Sequence, residues 1–256
     1  MEPVRTELLP GGIAEVIMDN PPVNAMPVAG WFEIARQVTR ASRDPEARVV
    51  ILRADGRGFS AGVDIKEMQA TEGFTALLGA NKGCFAAFKA IYECAVPVIA
   101  AVHGFCLGGG VGLVGNSDVI IAADDATFGL PEVDRGALGA ATHLARLVPQ
   151  HKMRAMVYLA ATATAAELHH FGSVHAVVPA AGLREAARAL AREIAAKDPV
   201  VIRAAKESLN GIDLWDVNRS YRFEQGFTFE LNLTGASDKA RDEFVARPHN
   251  QKDESR

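Results

Sequence analysis

Residues 49–54 of this chain, Val-Val-Ile-Leu-Arg-Ala, are almost continuously apolar, and they run straight into a turn of small residues, Gly56-Arg57-Gly58-Phe59-Ser60-Ala61-Gly62. A short apolar run bounded by turn residues is the pattern of a strand buried on both faces of a sheet. The manoeuvre recurs: residues 96–102 are apolar and lead into Gly104-Phe105-Cys106-Leu107-Gly108-Gly109-Gly110. Between the two lies a helical stretch, residues 74–94. A strand–helix–strand unit of that length requires a parallel crossover, so the chain is confined to an α/β architecture. Each turn also opens a helix. Two helix openings at neighbouring strand ends can aim backbone N–H groups at one point, which is how an oxyanion is held without side chains.

Other elements read as follows. Residues 12–18 alternate as a strand stopped by Asp19-Asn20-Pro21-Pro22. Pro27 suits the first turn of a helix reaching Arg43, with Trp31, Ile34 and Val38 on one face. A small-residue helix at 111–115 precedes a strand at 119–123. Beyond residue 180 the sequence turns Ala/Arg/Glu-rich and helical: 182–197, then 201–209 after a break at Pro199, then 213–231 with Phe223, Phe227 and Phe229. The expected plan is an α/β core over 1–180 and a helical region over 181–256. Its apolar side chains exceed what a peripheral helix pair buries alone, which points to an oligomer.

Charge and cysteines exclude several classes. A net charge of −4 without a basic block disfavours nucleic acid as a partner. Cys84, Cys94 and Cys106 have no metal-ligand spacing, and an odd count argues against a disulfide framework. No apolar run reaches membrane-spanning length, and Met1-Glu2-Pro3-Val4-Arg5 lacks a signal peptide's order. These features fit a reduced cytoplasmic protein with no membrane partner.

The third chemical signal is Phe128-Gly129-Leu130-Pro131-Glu132-Val133-Asp134-Arg135. A Glu in a partly apolar pocket has its pKa raised toward neutrality, which suits general acid/base work, although a lone Pro-Glu is as well explained by a helix N-terminus. His143 stands near the candidate pocket. Cys106 lies within the second turn and is read as packing, and His169-His170 do not share a helix face, which disfavours a metal pair.

These residues carry a resemblance to the enoyl-CoA hydratase/isomerase, or crotonase, superfamily. Asn20-Pro21-Pro22-Val23-Asn24-Ala25-Met26 resembles the family's first strand-to-helix junction. Phe59-Ser60-Ala61-Gly62-Val63-Asp64-Ile65-Lys66-Glu67-Met68 resembles its first oxyanion loop, residues 102–110 resemble the second, and residues 128–132 resemble the segment with a catalytic Glu. The resemblance implies a spiral of β-β-α units and C-terminal helices that mediate trimers, commonly paired into hexamers, and that close the pocket. It implies an acyl-CoA ligand, with coenzyme A arriving as part of the substrate and no tightly bound cofactor or metal. The thioester oxygen is expected on the N–H groups of Ala61 and Gly109, with Glu132 as base. Ser60, Gly62, Val63, Asp64, Ile65, Lys66, Gly108, Gly112, Asp134, Arg135 and His143 are expected to line the substrate and CoA site, with Arg57 as a further phosphate contact. Tyr221, Phe223 and Phe227 are read as interface core.

One departure is informative. Hydratases of this family carry a second Glu two residues after the glycine triplet, where this chain has Gly112, so two-Glu hydration is in doubt. One base with an oxyanion hole suits hydrolysis of a carbon–carbon bond β to a thioester. The chain particularly resembles an actinobacterial crotonase-like group associated with steroid catabolism, whose members open the last steroid ring in an indane-type CoA thioester. Hydration or isomerisation of an enoyl-CoA, and an idle acyl-CoA-binding scaffold, are the alternatives. The shape of the pocket at Gly112 separates a tunnel for linear chains from a chamber for fused rings.

Overall fold

The computed structural model describes residues 3–214 and 216–246; Met1, Glu2, Trp215 and the end of the expected C-terminal region, 247–256, lie outside them. In chain order the elements are β1 (Val4–Leu9), β2 (Ile13–Met18), β3 (Ala25–Met26), α1 (Val28–Arg43), β4 (Val49–Ala54), β5 (Gly62–Val63), α2 (Ile65–Ala70), α3 (Thr75–Tyr92), β6 (Val98–Val102), β7 (Phe105–Leu107) and α4 (Gly109–Gly115). They continue with β8 (Val119–Ala123), β9 (Thr127–Gly129), a 3-10 turn at Pro131–Arg135, α5 (Ala141–Leu144), α6 (Gln150–Leu159), β10 (Thr162–Thr164), α7 (Ala165–His170) and β11 (Ala176–Val178). The chain then forms α8 (Leu183–Ala195), α9 (Pro199–Gly211), α10 (Val217–Leu233) and α11 (Ala236–Ala246).

A large sheet of order β1-β2-β4-β6-β8-β11 is parallel throughout except for the antiparallel edge strand β1. Each turn of the chain places a long strand in this sheet and a short one in a smaller sheet, β3-β5 or β10-β9-β7. This is a spiral of β-β-α units. It is a repeat of geometry without a repeat of sequence.

β2, β4 and β6 are buried along their whole length, including the charged Glu15 of β2 and Arg53 of β4 among their apolar neighbours. Alternate residues face opposite layers. Val50, Leu52, Val98 and Ala100 meet the Trp31, Ile34 and Phe88 layer of α1 and α3. Val49, Ile51, Ile99 and Ala101 meet Leu183, Ala187 and Ala191 of α8. Glu15 is fully buried on the α8 side and is bonded by Arg53 at 2.9 Å and Arg188 at 2.5 Å. Burial raises the Glu15 pKa, but those two charge-assisted hydrogen bonds outweigh it and hold the carboxyl at about 2.

Pro199 opens α9 as its first residue, with the Asp198 side chain capping Val200 and Val201 N–H, because a missing N–H costs nothing there. On α10 and the segment before it, Leu214 and Phe223 are exposed, while Tyr221 is buried within its own chain and so is not interface core. No helix among the described residues is long and apolar enough to cross a membrane.

Candidate active site

The two glycine turns are zipped together. Ser60 N–H donates to Phe105 O at 3.1 Å, Leu107 N–H donates to Ser60 O at 2.8 Å, and the buried Ser60 hydroxyl donates to Asn24 O. A Cβ on Gly62 would come within 3.3 Å of both Gly109 N and Leu107 O, so only glycine lets the loops approach this closely, and its φ of +89° is itself a glycine conformation. Asp64 caps α2 through Lys66 N–H at 2.9 Å.

One of the two N–H groups expected to face the site is already engaged. Ala61 N–H donates to Val23 O at 3.1 Å and is therefore spent. In the parallel β3–β5 pair, Asp64 N–H bonds Met26 O at 2.9 Å with Val63 opposite Met26. Alternate residues of a parallel strand address the same neighbour. Asp64 N–H thus faces β3 and Gly62 N–H is taken by the Ser60 hydroxyl at 3.1 Å, while Val63, between them, turns its N–H the other way, to the side where α4 begins. Gly109, the first residue of α4, has an N–H with no acceptor inside its own helix. Val63 and Gly109 are the pair that the backbone leaves pointing into the site.

A cavity of about 130 Å³ lies against these groups. Of the expected site residues, Ala61, Gly62, Val63, Ile65, Gly109, Glu132 and Arg135 form part of its wall. Ser60, Asp64, Lys66, Gly108, Gly112, Asp134 and His143 are not in the wall. Ser60 is buried behind the first loop, Asp64 is committed to its cap, and Lys66, Asp134 and Arg57 point to solvent. Cys106 is buried on the far side of the second loop, beside Gly110.

Gly112 opens no chamber. A Cβ there would lie 2.1 Å from Cζ of Phe88, so the ring already fills the space that a side chain at 112 would take. Phe88 is fixed by Trp31, His143 and Tyr221, with ring centroids 5.9, 4.8 and 5.0 Å away. His143 sits behind that cluster. Its Nδ1 lies 3.0 Å from Asn116 Nδ2, and burial lowers its pKa to about 3, so the imidazole is neutral.

Glu132 is held on the 3-10 turn after β9. A Cβ on Gly108 would fall 2.5 Å from its Oε1, and the φ of +56° there is a second reason for glycine. Its Oε2 is shut off from solvent and has no hydrogen-bond partner. Burial is the dominant influence and raises the pKa to about 7, with Arg135 pulling the other way. A carboxyl poised there exchanges protons readily at neutral pH.

Much of the rest of the wall comes from helices in which the sequence singled out no wall residue by its spacing. α3 contributes Leu77, Ala80, Asn81 and Cys84, and α10 contributes Tyr221, Thr228 and Asn232. Their helical spacing was visible, but nothing in it said that this face meets a cavity instead of core. α10 is docked by Glu224, which accepts Ala141 N–H at 2.7 Å and Thr142 N–H at 3.1 Å, and by Thr228, whose hydroxyl donates to Leu138 O at 2.5 Å. Among the described residues no group of three or more His, Cys, Asp or Glu is placed to hold a metal ion.

Two backbone donors and a shielded carboxyl around one cavity, at the ends of successive β-β-α turns, are chemistry that suits an acyl thioester. The model for enoyl-CoA hydratase/isomerase matches residues 9–239, and the chain belongs to that family. A protein of Mycobacterium tuberculosis is 66% identical over 245 residues, 96% of this chain and 99% of its own length. It is named (7aS)-7a-methyl-1,5-dioxo-2,3,5,6,7,7a-hexahydro-1H-indene-carboxyl-CoA hydrolase. A Rhodococcus jostii protein of the same name is 67% identical over 234 residues, 91% of each chain. Among solved structures, an enoyl-CoA hydratase/isomerase from Xanthobacter autotrophicus superimposes with a TM-score of 0.85 at 29% identity, covering 94% of this chain and 91% of that one.

Proposed function

We propose that the protein hydrolyses a ring carbon–carbon bond in a cyclic β-oxo acyl-CoA thioester of the fused indane type, as the names of its two relatives describe for them. The observation that carries this reading is the solitary shielded Glu132 carboxyl facing the two backbone donors, with Phe88 packed where a second carboxylate would stand. Glu132, ionised, takes a proton from water as the water oxygen bonds to the ring ketone carbon. The C–C bond breaks, and its electron pair passes into the thioester-conjugated system as an enolate. The enolate oxygen rests on Val63 and Gly109 N–H, in place of the Ala61 donor expected from sequence. Glu132 then returns its proton to carbon, leaving a ring-opened carboxylic acid still esterified to CoA. The carboxyl is regenerated, so atoms and protons balance without a cofactor.

Coenzyme A is held as part of the substrate along residues 61–65. The exposed apolar side chains Val200, Val201, Leu209, Ile212 and Leu214 support a homotrimer or a dimer of trimers assembled through the C-terminal helices. The deciding assay offers a bicyclic β-oxo acyl-CoA and crotonyl-CoA in parallel. Ring opening with a new carboxylic acid is expected. Rapid hydration of crotonyl-CoA without ring opening overturns the reading in favour of a hydratase.

A further inference from the structure

The cavity wall carries polar groups besides Glu132, and nearly all are already engaged. The Thr228 hydroxyl donates to Leu138 O and accepts Leu138 N–H, and Asn232 Nδ2 donates to Thr228 O while its Oδ1 accepts from Arg241. Arg241 also pairs with Asp238. Asn81 differs. Its Nδ2 is closed off from solvent and has no partner, although its backbone carbonyl is anchored by Gln225 Nε2 at 2.8 Å.

The placement is odd for an amide. Leu77, Ala80, Asn81, Cys84 and Phe88 form one face of α3 at helical spacing, and the others are apolar or nearly so. A buried amide without a hydrogen bond costs stability that an apolar residue of similar size would not, which leaves a ligand as the natural partner. Nδ2 is a donor only, so it selects an acceptor oxygen and not a hydroxyl's proton or an ammonium group. The terminal amide torsion is soft enough to swing this donor toward a group inside the cavity.

We infer that Asn81 is a specificity-determining residue that donates through Nδ2 to a second ring carbonyl of the substrate, one that is not itself hydrolysed. The inference rests on the ring-opening reading and deepens it: the preferred substrates are cyclic acyl-CoA thioesters bearing two ring ketones. Glu132 serves the ketone that is attacked, while Asn81 holds the other and thereby fixes which face of the ring system meets Glu132. A site built around a donor rejects an analogue lacking the acceptor more strongly than an apolar wall does, because the donor is then left unpaired.

The test compares kcat/KM for a bicyclic dioxo acyl-CoA with that for an analogue whose non-reacting ketone is a methylene. Wild type is expected to favour the dioxo thioester by about tenfold. Asn81→Leu keeps the volume and Asn81→Ala keeps the helix, and each is expected to bring the ratio close to one by losing rate on the dioxo thioester alone. A wild-type ratio near one, or variants that slow both thioesters equally, overturns the assignment while leaving ring opening intact. Wild type that opens neither ring refutes the parent reading, and this one falls with it.

Discussion

Replacing Glu132 with Gln tests the site through stability as well as through rate. In the folded protein the Glu132 carboxyl has its pKa raised from 4.5 to about 7, burial being the chief cause. Below pH 4.5 it is neutral in both folded and unfolded chains and costs nothing. Between 4.5 and about 7 the unfolded chain ionises first, so rising pH favours unfolding, and above 7 the penalty is complete. The gap corresponds to about 3 kcal/mol. Gln cannot ionise, so Glu132→Gln is expected to match wild type in urea unfolding at pH 4 and to be more stable by about 3 kcal/mol at pH 8. Taking the difference at each pH cancels every other titrating group. A difference that stays flat from pH 4 to 8 would mean that Glu132 is solvated, and the argument for a poised base would collapse. The same variant should lose about 10³-fold in kcat for ring opening. Wild-type kcat/KM should rise with pH through about 7 as the base loses its proton.

Gly112→Ala forces a methyl into the Phe88 ring and is expected to destabilise the fold by about 1–3 kcal/mol, with part of the loss recovered when Phe88→Leu is added, as read by denaturant unfolding. Coupling of zero between the two would show that the ring yields freely. Sedimentation at micromolar concentration should show a trimer or hexamer, and Leu209→Glu with Ile212→Glu should shift it toward monomer; a wild-type monomer would remove the case for an interface on these helices.

The parts of the fold that patterning revealed are those in which one face or both are buried. β4, β6 and β8 show as mainly apolar runs, β2 as an alternating strand, α1 as an amphipathic stripe, and α8 as an Ala/Arg/Glu-rich helix with a narrow apolar seam. The two- and three-residue strands β3, β5, β7, β9 and β10 leave no such trace, because their pairing is decided by which loops the large sheet brings together. The site divides the same way. Glu132 and the glycine turns are local chemistry and stand out in sequence. Which N–H remains free depends on which of them meets an acceptor in the fold, and the acceptor that takes Ala61 N–H is Val23 O, 38 residues earlier, which no local pattern shows. Gly112 advertised a missing carboxylate, but only packing reveals that Phe88, 24 positions earlier in the chain, has taken its place.

The docking of α10 gives the cavity walls of unequal permanence. The wall carrying Glu132, Val63 and Gly109 hangs from ladders of strands, and the large sheet is complete by Val178. The opposite wall is fastened by the Glu224 carboxylate on Ala141 and Thr142, by Thr228 on Leu138, by Gln225 on Asn81 and by Ser237 on Gly136. Each of these ties can part and re-form without breaking a single strand pairing, so the helices can lift while the sheet stays whole. Amide exchange in α10 then reports on this gate, and exchange in β4 and β6 reports on the fold. Under the proposed ring opening, a rigid ring system would enter and a flexible acid would leave through a door hinged on side chains, with the wall of strands left undisturbed behind it.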